Sequence, residues 1–494
     1  MTYVIGVDLG TSAVKSLLVN RSGEVTASVS KPLSVQQPAA GHSEQNPDEW
    51  VEQTEASIQA LMEKTGIKAE EVESLSFSGQ MHGLVLLDDA GRPLRPAILW
   101  NDTRTSEQCE MIRRMIGENE LIEATQNTVL EGFTLPKMLW VQEHEPEVWS
   151  RAASFLLPKD YVRYRLTGSM QMELSDAAGT LLLDVKRKTW SHAMLEGFNL
   201  SSSFCPPLIE SHESAGRLTK EAAARTGLHN RVNVIAGGAD NACGALGSGI
   251  TEPGEGLLSI GTSGVLLVPD HGEAVPDGRL HYFNHASEDQ YYYMGVTLSA
   301  GNSLQWVKDN LFFDETIEEL VERASQVPAG ADHLLFAPFL TGERTPYMDA
   351  GIRGSFIGLD IRHTRGHIVR AVMEGITYSL KESHDIILQQ GFQVNSLVSI
   401  GGGAKSSFWL QMQADAFGCP VRRLAHEQGP GLGAAMLAAY GTGWFATLEE
   451  CKKIFVNESE TFYPDPDQSL IYEKTFQAYK KIYAQTSPFT VQRL

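Results

Sequence analysis

Residues 4–19 read VIGVDLGTSAVKSLLV, and residues 257–268 read LLSIGTSGVLLV. Each is an apolar run interrupted by Gly-Thr-Ser and then resumed. Such a pattern predicts a β-hairpin closed by a tight turn, with turns at Gly10-Thr11-Ser12 and Gly261-Thr262-Ser263. A hairpin repeated near mid-chain points to two related halves, against the alternative of two unrelated hairpins. A length of 494 residues also exceeds one ordinary core.

Working outward, helical and strand patterns alternate. Asn46-Pro47-Asp48-Glu49 combines a capping side chain, proline at the first helical position and acids in the first turn, so it predicts a helix start. Trp50, Thr54, Ile58, Leu61 and Met62 then share one helical face. Val72–Phe77 reads as a strand ending at Ser78-Gly79-Gln80, and residues 84–87 with Asp88-Asp89-Ala90-Gly91 as a second hairpin. Pro206-Pro207 and Pro464 to Pro466 read as loops. Alternation of this kind predicts an α/β fold, with helices on the faces of a sheet.

The net charge of −21 repels phosphate backbones and anionic lipids, so neither nucleic acid nor a membrane is expected as a partner. A small phosphorylated ligand stays admissible, because backbone N–H groups bind phosphate locally. The five cysteines are scattered without a CxxC pair, which predicts reduced thiols. The chain enters a strand at Tyr3 without a basic and then apolar leader, so no signal peptide and a cytoplasmic location are expected.

Small and acidic residues gather where strands end, the place where open α/β sheets bind ligands. Asp8 closes an apolar strand. Either it holds Mg²⁺ beside a phosphate-gripping turn, or it bonds to local backbone as turn aspartates do. Gly261-Thr262-Ser263-Gly264 repeats that arrangement. Val234-Ile235-Ala236-Gly237-Gly238-Ala239 runs into Asp240 and Asn241. There Asp240 stands at a helix N-terminus, as a functional carboxylate or as a cap. Ile400-Gly401-Gly402-Gly403 leads into another helix through Trp409, Met412 and Ala416. It matches neither the P-loop nor the dinucleotide fingerprint. Gly429-Pro430-Gly431-Leu432-Gly433-Ala434 reads as a loop and close helix packing. Gln80-Met81-His82-Gly83 and Trp100-Asn101-Asp102-Thr103-Arg104 offer amide, imidazole, carboxylate and aromatic groups suited to a polyol.

Together these segments resemble the FGGY family of carbohydrate kinases, and the resemblance runs along essentially the whole chain. It also includes residues 132–140 (GFTLPKMLW), 342–347 (GERTPY) and 354–359 (GSFIGL). Residues 79–83 and 98–102 are most similar to the xylulokinase-like members. The resemblance implies two ribonuclease H-like (actin-like ATPase) domains flanking a central catalytic cleft: an N-terminal sugar-binding domain over 1–245 and a C-terminal nucleotide-binding domain over 246–494. It implies Asp240 as catalytic base and Asp8 as the acid associated with Mg²⁺. Met81, His82 and Asn241 would face the sugar. Thr11, Thr262, Gly402 and Gly403 would meet the nucleotide phosphates, with Trp306 as a wall of that cleft. The implied reaction is phosphorylation of a ketopentose, D-xylulose first, by ATP with Mg²⁺. Gluconate, ribulose and fuculose kinases are the near alternatives, and a non-catalytic actin-like nucleotide-binding protein is the distant one. A homodimer is carried by the resemblance alone.

Overall fold

A computed structural model describes residues 1–489. Two mixed sheets dominate it. In the first, Tyr3–Leu9, Ala13–Asn20 and Val25–Pro32 form an antiparallel meander. Val72–Gly79 lies parallel to Tyr3–Leu9 on its other side, and Asn233–Ile235 lies parallel beyond that. In the second sheet, Glu255–Ile260, Gly264–Asp270 and Tyr291–Thr297 form the meander. Ser396–Gly401 and then Val421–Leu424 extend it in parallel. The two paths are the same, so the repeated Gly-Thr-Ser marks a repeated topology. Both turns join the first strand to the second, closed by Gly10 N–H to Ala13 O and by Gly261 N–H to Ser263 O, each 3.0 Å.

Alternation along Tyr3–Leu9 sorts its side chains onto two faces. Ile5, Val7 and Leu9 join a core containing Trp50, Ile58 and Leu61 of helix Pro47–Thr65. That helix starts as expected: Asn46 accepts a hydrogen bond from the Asp48 N–H, and Pro47 occupies the first turn. Val4 faces the other way, onto Leu432, Ala435 and Met436 of helix Pro430–Gly441. A Cβ on Gly6 would lie 2.0 Å from the Gly431 carbonyl oxygen, so only glycine admits this crossing. Helix Pro430–Gly441, from the second half of the chain, therefore lies on the sheet of the first half. It also packs against helix Asp240–Gly247, which leads out of that sheet.

The segment after Leu87 turns at Asp88–Gly91 and folds back as a short hairpin, with Leu94 N–H donating to the Leu86 carbonyl (2.9 Å) and Leu87 bridged to Pro93, while strand Val85–Leu87 also pairs with Ser154–Leu156. One expectation is revised: Pro466 is no loop residue. It opens helix Pro466–Tyr479, capped by Asp465, because proline costs nothing where the first N–H has no helical partner. The five cysteines are buried and unpaired. Among the described residues no helix is long and apolar enough to cross a membrane.

Candidate active site

Three adjacent strands of the first sheet end level with one another. Asp8 is in register with Ser78, and Ser78 with Gly238. Asp240 follows two residues later as the first residue of helix Asp240–Gly247, and Gln80, Met81 and His82 continue directly from strand Val72–Gly79. Strand register thus brings Asp8, Asp240, Met81 and His82 to one edge.

Beyond that edge lies a cavity of about 210 Å³. Met81, His82, Trp100, Gly132, Phe133, Asp240 and Asn241 line it from the first half, and Ser263, His281, Met294, Val296 and Arg344 from the second. Burial pushes the Asp240 carboxyl up to about 7, with the Asp8 charge adding to it and hydrogen bonds from Asn241 opposing it. Those bonds come from the Asn241 backbone N–H (2.7 Å) and Nδ2 (2.9 Å), both to Asp240 Oδ1. Burial also holds Asp8 above the usual carboxylate range, against the pull of Ser78 and Lys15. A neighbouring carboxylate raises another in this way, here Asp8 acting on Asp240. One of them is a base of neutral-range strength.

His82 takes a left-handed backbone conformation, φ 68°, which side-chain-bearing residues avoid unless held there. Its carbonyl accepts from Lys137 Nζ (2.9 Å) and Thr134 Oγ1 (3.1 Å), and its Nδ1 lies 2.7 Å from the Gly179 carbonyl oxygen. A ring nitrogen facing a carbonyl must carry the proton, so Nδ1 donates and Nε2 is left as an acceptor. Burial lowers the imidazole to about 3, so the ring is neutral. The 132–140 segment has its structural role here: Lys137, itself lowered by burial to about 7, locks the His82 turn.

A second cavity, about 780 Å³, opens on the other side of the Gly261–Ser263 turn. Gly261, Thr262, Gly402, Gly403, Lys405 and Ser406 line it, with Asn302, Leu304 and Gln305 of helix Gly301–Leu311. Gly402 and Gly403 follow strand Ser396–Gly401, and helix Ser407–Phe417 begins at the cavity with Ser406 as its cap. Glycine backbone, a helix N-terminus and a lysine make an anion-binding surface. Consecutive residues of one turn thus face different cavities, Thr262 the larger and Ser263 the smaller.

The FGGY N-terminal domain matches residues 3–247, and the FGGY C-terminal domain matches 256–442. The chain belongs to the FGGY family of carbohydrate kinases. It is 52% identical to the xylulose kinase of Bacillus subtilis, over 98% of this chain and 97% of that protein. A ligand-bound xylulose kinase and a gluconate kinase, both from Lactobacillus acidophilus, each superpose with a TM-score of 0.94 at 27% identity, over 99% of both chains.

This FGGY kinase gathers Asp240, Asn241, Met81 and His82 around the smaller cavity, and Thr262, Gly402 and Gly403 around the larger. Three expected site residues are outside the lining of both cavities. Asp8, at the same strand-end edge, acts on Asp240 through its charge. Thr11 is outside the lining of both cavities. Its hydroxyl donates to Gln80 Oε1 (3.1 Å) and accepts from Trp100 Nε1 (2.9 Å), and its carbonyl accepts from Gln45 Nε2 (2.7 Å). The hydroxyl proton is already committed, which leaves the backbone N–H of that turn to meet phosphate. Trp306 is 40% exposed and lines neither cavity, whereas Leu304 and Gln305 do. Asp102, in the segment read as suited to a polyol, is buried in an ion pair with Arg104 and accepts from the Ser43 N–H. Only Trp100 of that segment reaches the cavity. Phe133, Ser263, His281 and Arg344 were not legible as site residues from sequence, although Phe133, Ser263 and Arg344 lie within the motifs at 132–140, 261–264 and 342–347.

Proposed function

We propose that the chain transfers the γ-phosphoryl group of ATP to the terminal 5-hydroxyl of D-xylulose, with Asp240 as general base. The observation that carries this reading is the shared turn. An acceptor cavity with a carboxylate of neutral-range strength and a donor cavity with anion-binding backbone meet at Thr262 and Ser263. A sugar hydroxyl is a weak nucleophile at neutral pH. A carboxylate within hydrogen-bond reach accepts its proton as the O–P bond forms, a contribution of about 10²–10⁴ in rate. Alignment and charge neutralisation supply much of the rest.

Asp8 is the residue that would hold Mg²⁺. Its carboxylate is buried beside that of Asp240 with only the Lys15 charge against it, so a cation there relieves both acids. Among the described residues no three His, Cys, Asp or Glu side chains converge as a metal site, and Mg²⁺ held by one or two carboxylates plus phosphate oxygens needs no such cluster. When bound, the ion neutralises charge on the β- and γ-phosphates. Gly402, Gly403 and the Ser407–Phe417 helix N-terminus would grip the polyphosphate. His82, Asn241 and the Met81 and Trp100 surfaces would hold the sugar. Water is a competing acceptor, and closure of the two halves over the bound sugar would exclude it.

Xylulose is chosen because the 52%-identical relative is a xylulose kinase. The likeness to a gluconate kinase, together with the Arg344 charge in the cavity, favours a sugar acid as the second reading. ADP release measured with D-xylulose, D-ribulose, L-fuculose, D-gluconate and no sugar separates them. D-xylulose is expected to give kcat/KM at least about tenfold above every other sugar, a margin that a few polar contacts support. Equal or faster turnover of gluconate overturns the substrate, and ADP release indifferent to sugar overturns the reaction.

A further inference from the structure

The smaller cavity has two chemically different ends. At one stand Asp240 and Asn241, with the Asp8 charge acting on Asp240. At the other, Arg344 stands by His82 and His281. Burial first, and the Arg344 charge with it, keep both imidazoles neutral. The rings pack with Phe133 and Phe283: His82 is 4.9 Å from Phe133 between centroids, and His281 stacks on Phe283 at 5.5 Å.

The backbone that carries Arg344 is clamped on both sides. Glu343 Oε1 accepts from the N–H groups of Leu298 (3.0 Å) and Arg344 (2.8 Å), and its Oε2 from Thr297 Oγ1 (2.9 Å) and Ser379 Oγ (3.2 Å). Thr345 donates to the Val296 carbonyl through both its N–H (3.0 Å) and its hydroxyl (2.9 Å). The head group is treated differently. Among the described residues the guanidinium makes no hydrogen bond and no ion pair. The carboxylates acting on it, Glu131 and Glu343, do so through space, and Glu343 already has four donors. Arg344 is only half-buried and lines the cavity, so a rigid mount presents a free head to any ligand there that brings acceptor lone pairs. Arginine offers a planar fork of donors and no acceptor.

We infer that Arg344 is the specificity residue for the ketose carbonyl: its guanidinium donates to the C2 oxygen of the bound sugar while the 5-hydroxyl lies at Asp240. The inference rests on the xylulose reading above. A five-carbon chain with its terminal hydroxyl at the carboxylate end places C1 and C2 at the arginine end. A carbonyl there only accepts. An alcohol at the same carbon can also accept, but its oxygen is tetrahedral instead of planar and its proton needs an acceptor of its own, so the planar fork suits the carbonyl better.

The test compares D-xylulose with xylitol, which carries an alcohol in place of the carbonyl, in native protein and in the Arg344→Gln and Arg344→Lys variants. Arg344→Gln is expected to raise KM for D-xylulose at least about tenfold. Its kcat at saturating sugar should stay within about threefold and its KM for ATP within about twofold, the pattern of lost uniform binding. The inhibition constant of xylitol should change less than about threefold. Arg344→Lys, which keeps the charge without the fork, should fall between; if the glutamine variant melts early, the lysine variant carries the same comparison. Equal losses for ketose and alditol overturn the inference. So does a fall in kcat at constant KM, which puts Arg344 on the phosphoryl group. Native protein that does not phosphorylate D-xylulose overturns the proposed reaction and this inference with it, whereas native turnover with either of the other outcomes overturns the Arg344 role alone.

Discussion

Asp240→Asn is expected to bind D-xylulose within about threefold of native protein and to lose about a thousandfold or more in kcat, measured by ADP release and by titration calorimetry. Asparagine matches the shape of the side chain and can bond to the sugar, but it cannot accept a proton. The native enzyme should show the same dependence as a pH profile. The base must be ionised, and burial with the Asp8 charge places its pKa at about 7, so kcat/KM should rise with pH through that value. Stability should run the other way. A carboxyl raised from 3.8 in the fold binds its proton more tightly there than in the unfolded chain. Its contribution is most favourable below about pH 4 and is lost as pH climbs through about 7. The neutral asparagine escapes that loss, so the variant should melt about 2 °C higher at pH 8, with the gap closing as pH falls toward 4. Near-native turnover in Asp240→Asn would remove the residue from the chemistry.

Gly433→Ala should destabilise the protein by about 3 kcal/mol or more, against the helix propensity that favours alanine by about 1 kcal/mol. A Cβ at position 433 would stand 1.9 Å from the Cys243 carbonyl oxygen, where helix Pro430–Gly441 crosses helix Asp240–Gly247. Gly247 meets Gly429 and Gly433 from the other side, its Cβ position 2.5 Å from the Gly429 carbonyl oxygen. Backbone lies against backbone here, and no side chain can swing away. The helices must separate, and Asp240 moves with the one it begins, so kcat should fall along with the denaturation midpoint. Gly244→Ala, on the same short helix, is the control. Its nearest neighbour is Pro430 Cγ at 3.8 Å, an ordinary contact, and stability should stay within about 1 kcal/mol. Equal effects from the two substitutions would contradict the close crossing.

Much of this architecture was legible because it is local. Gly-Thr-Ser between apolar runs dictates a hairpin, and its recurrence exposed a topological repeat. Asn46-Pro47 dictated a helix start, and Gly431 with Gly433 already read as close packing. Asp240 was legible because strand, glycines and acid are contiguous. The misses come from long-range geometry. Arg344 reaches a cavity edge built mainly by residues of the first half of the chain, and nothing in local spacing announces that. Trp306 failed on helical phase. Leu304 and Gln305 face the cavity, the next residue is rotated about 100° further around the helix, and the sequence does not disclose where that helix begins. Gln80, Gln45 and Trp100, remote in sequence, take up the hydroxyl and carbonyl of Thr11, which local spacing could not show.

The claim on which the rest depends is that one sugar hydroxyl lies between Asp240 and the terminal phosphate. A crystal structure with D-xylulose and a non-hydrolysable ATP analogue measures this directly. The account predicts the 5-hydroxyl within about 3 Å of an Asp240 carboxylate oxygen, with the terminal phosphate at the Thr262–Ser263 turn. A sugar bound in reverse, its carbonyl end at Asp240 and its 5-hydroxyl at Arg344, would contradict it.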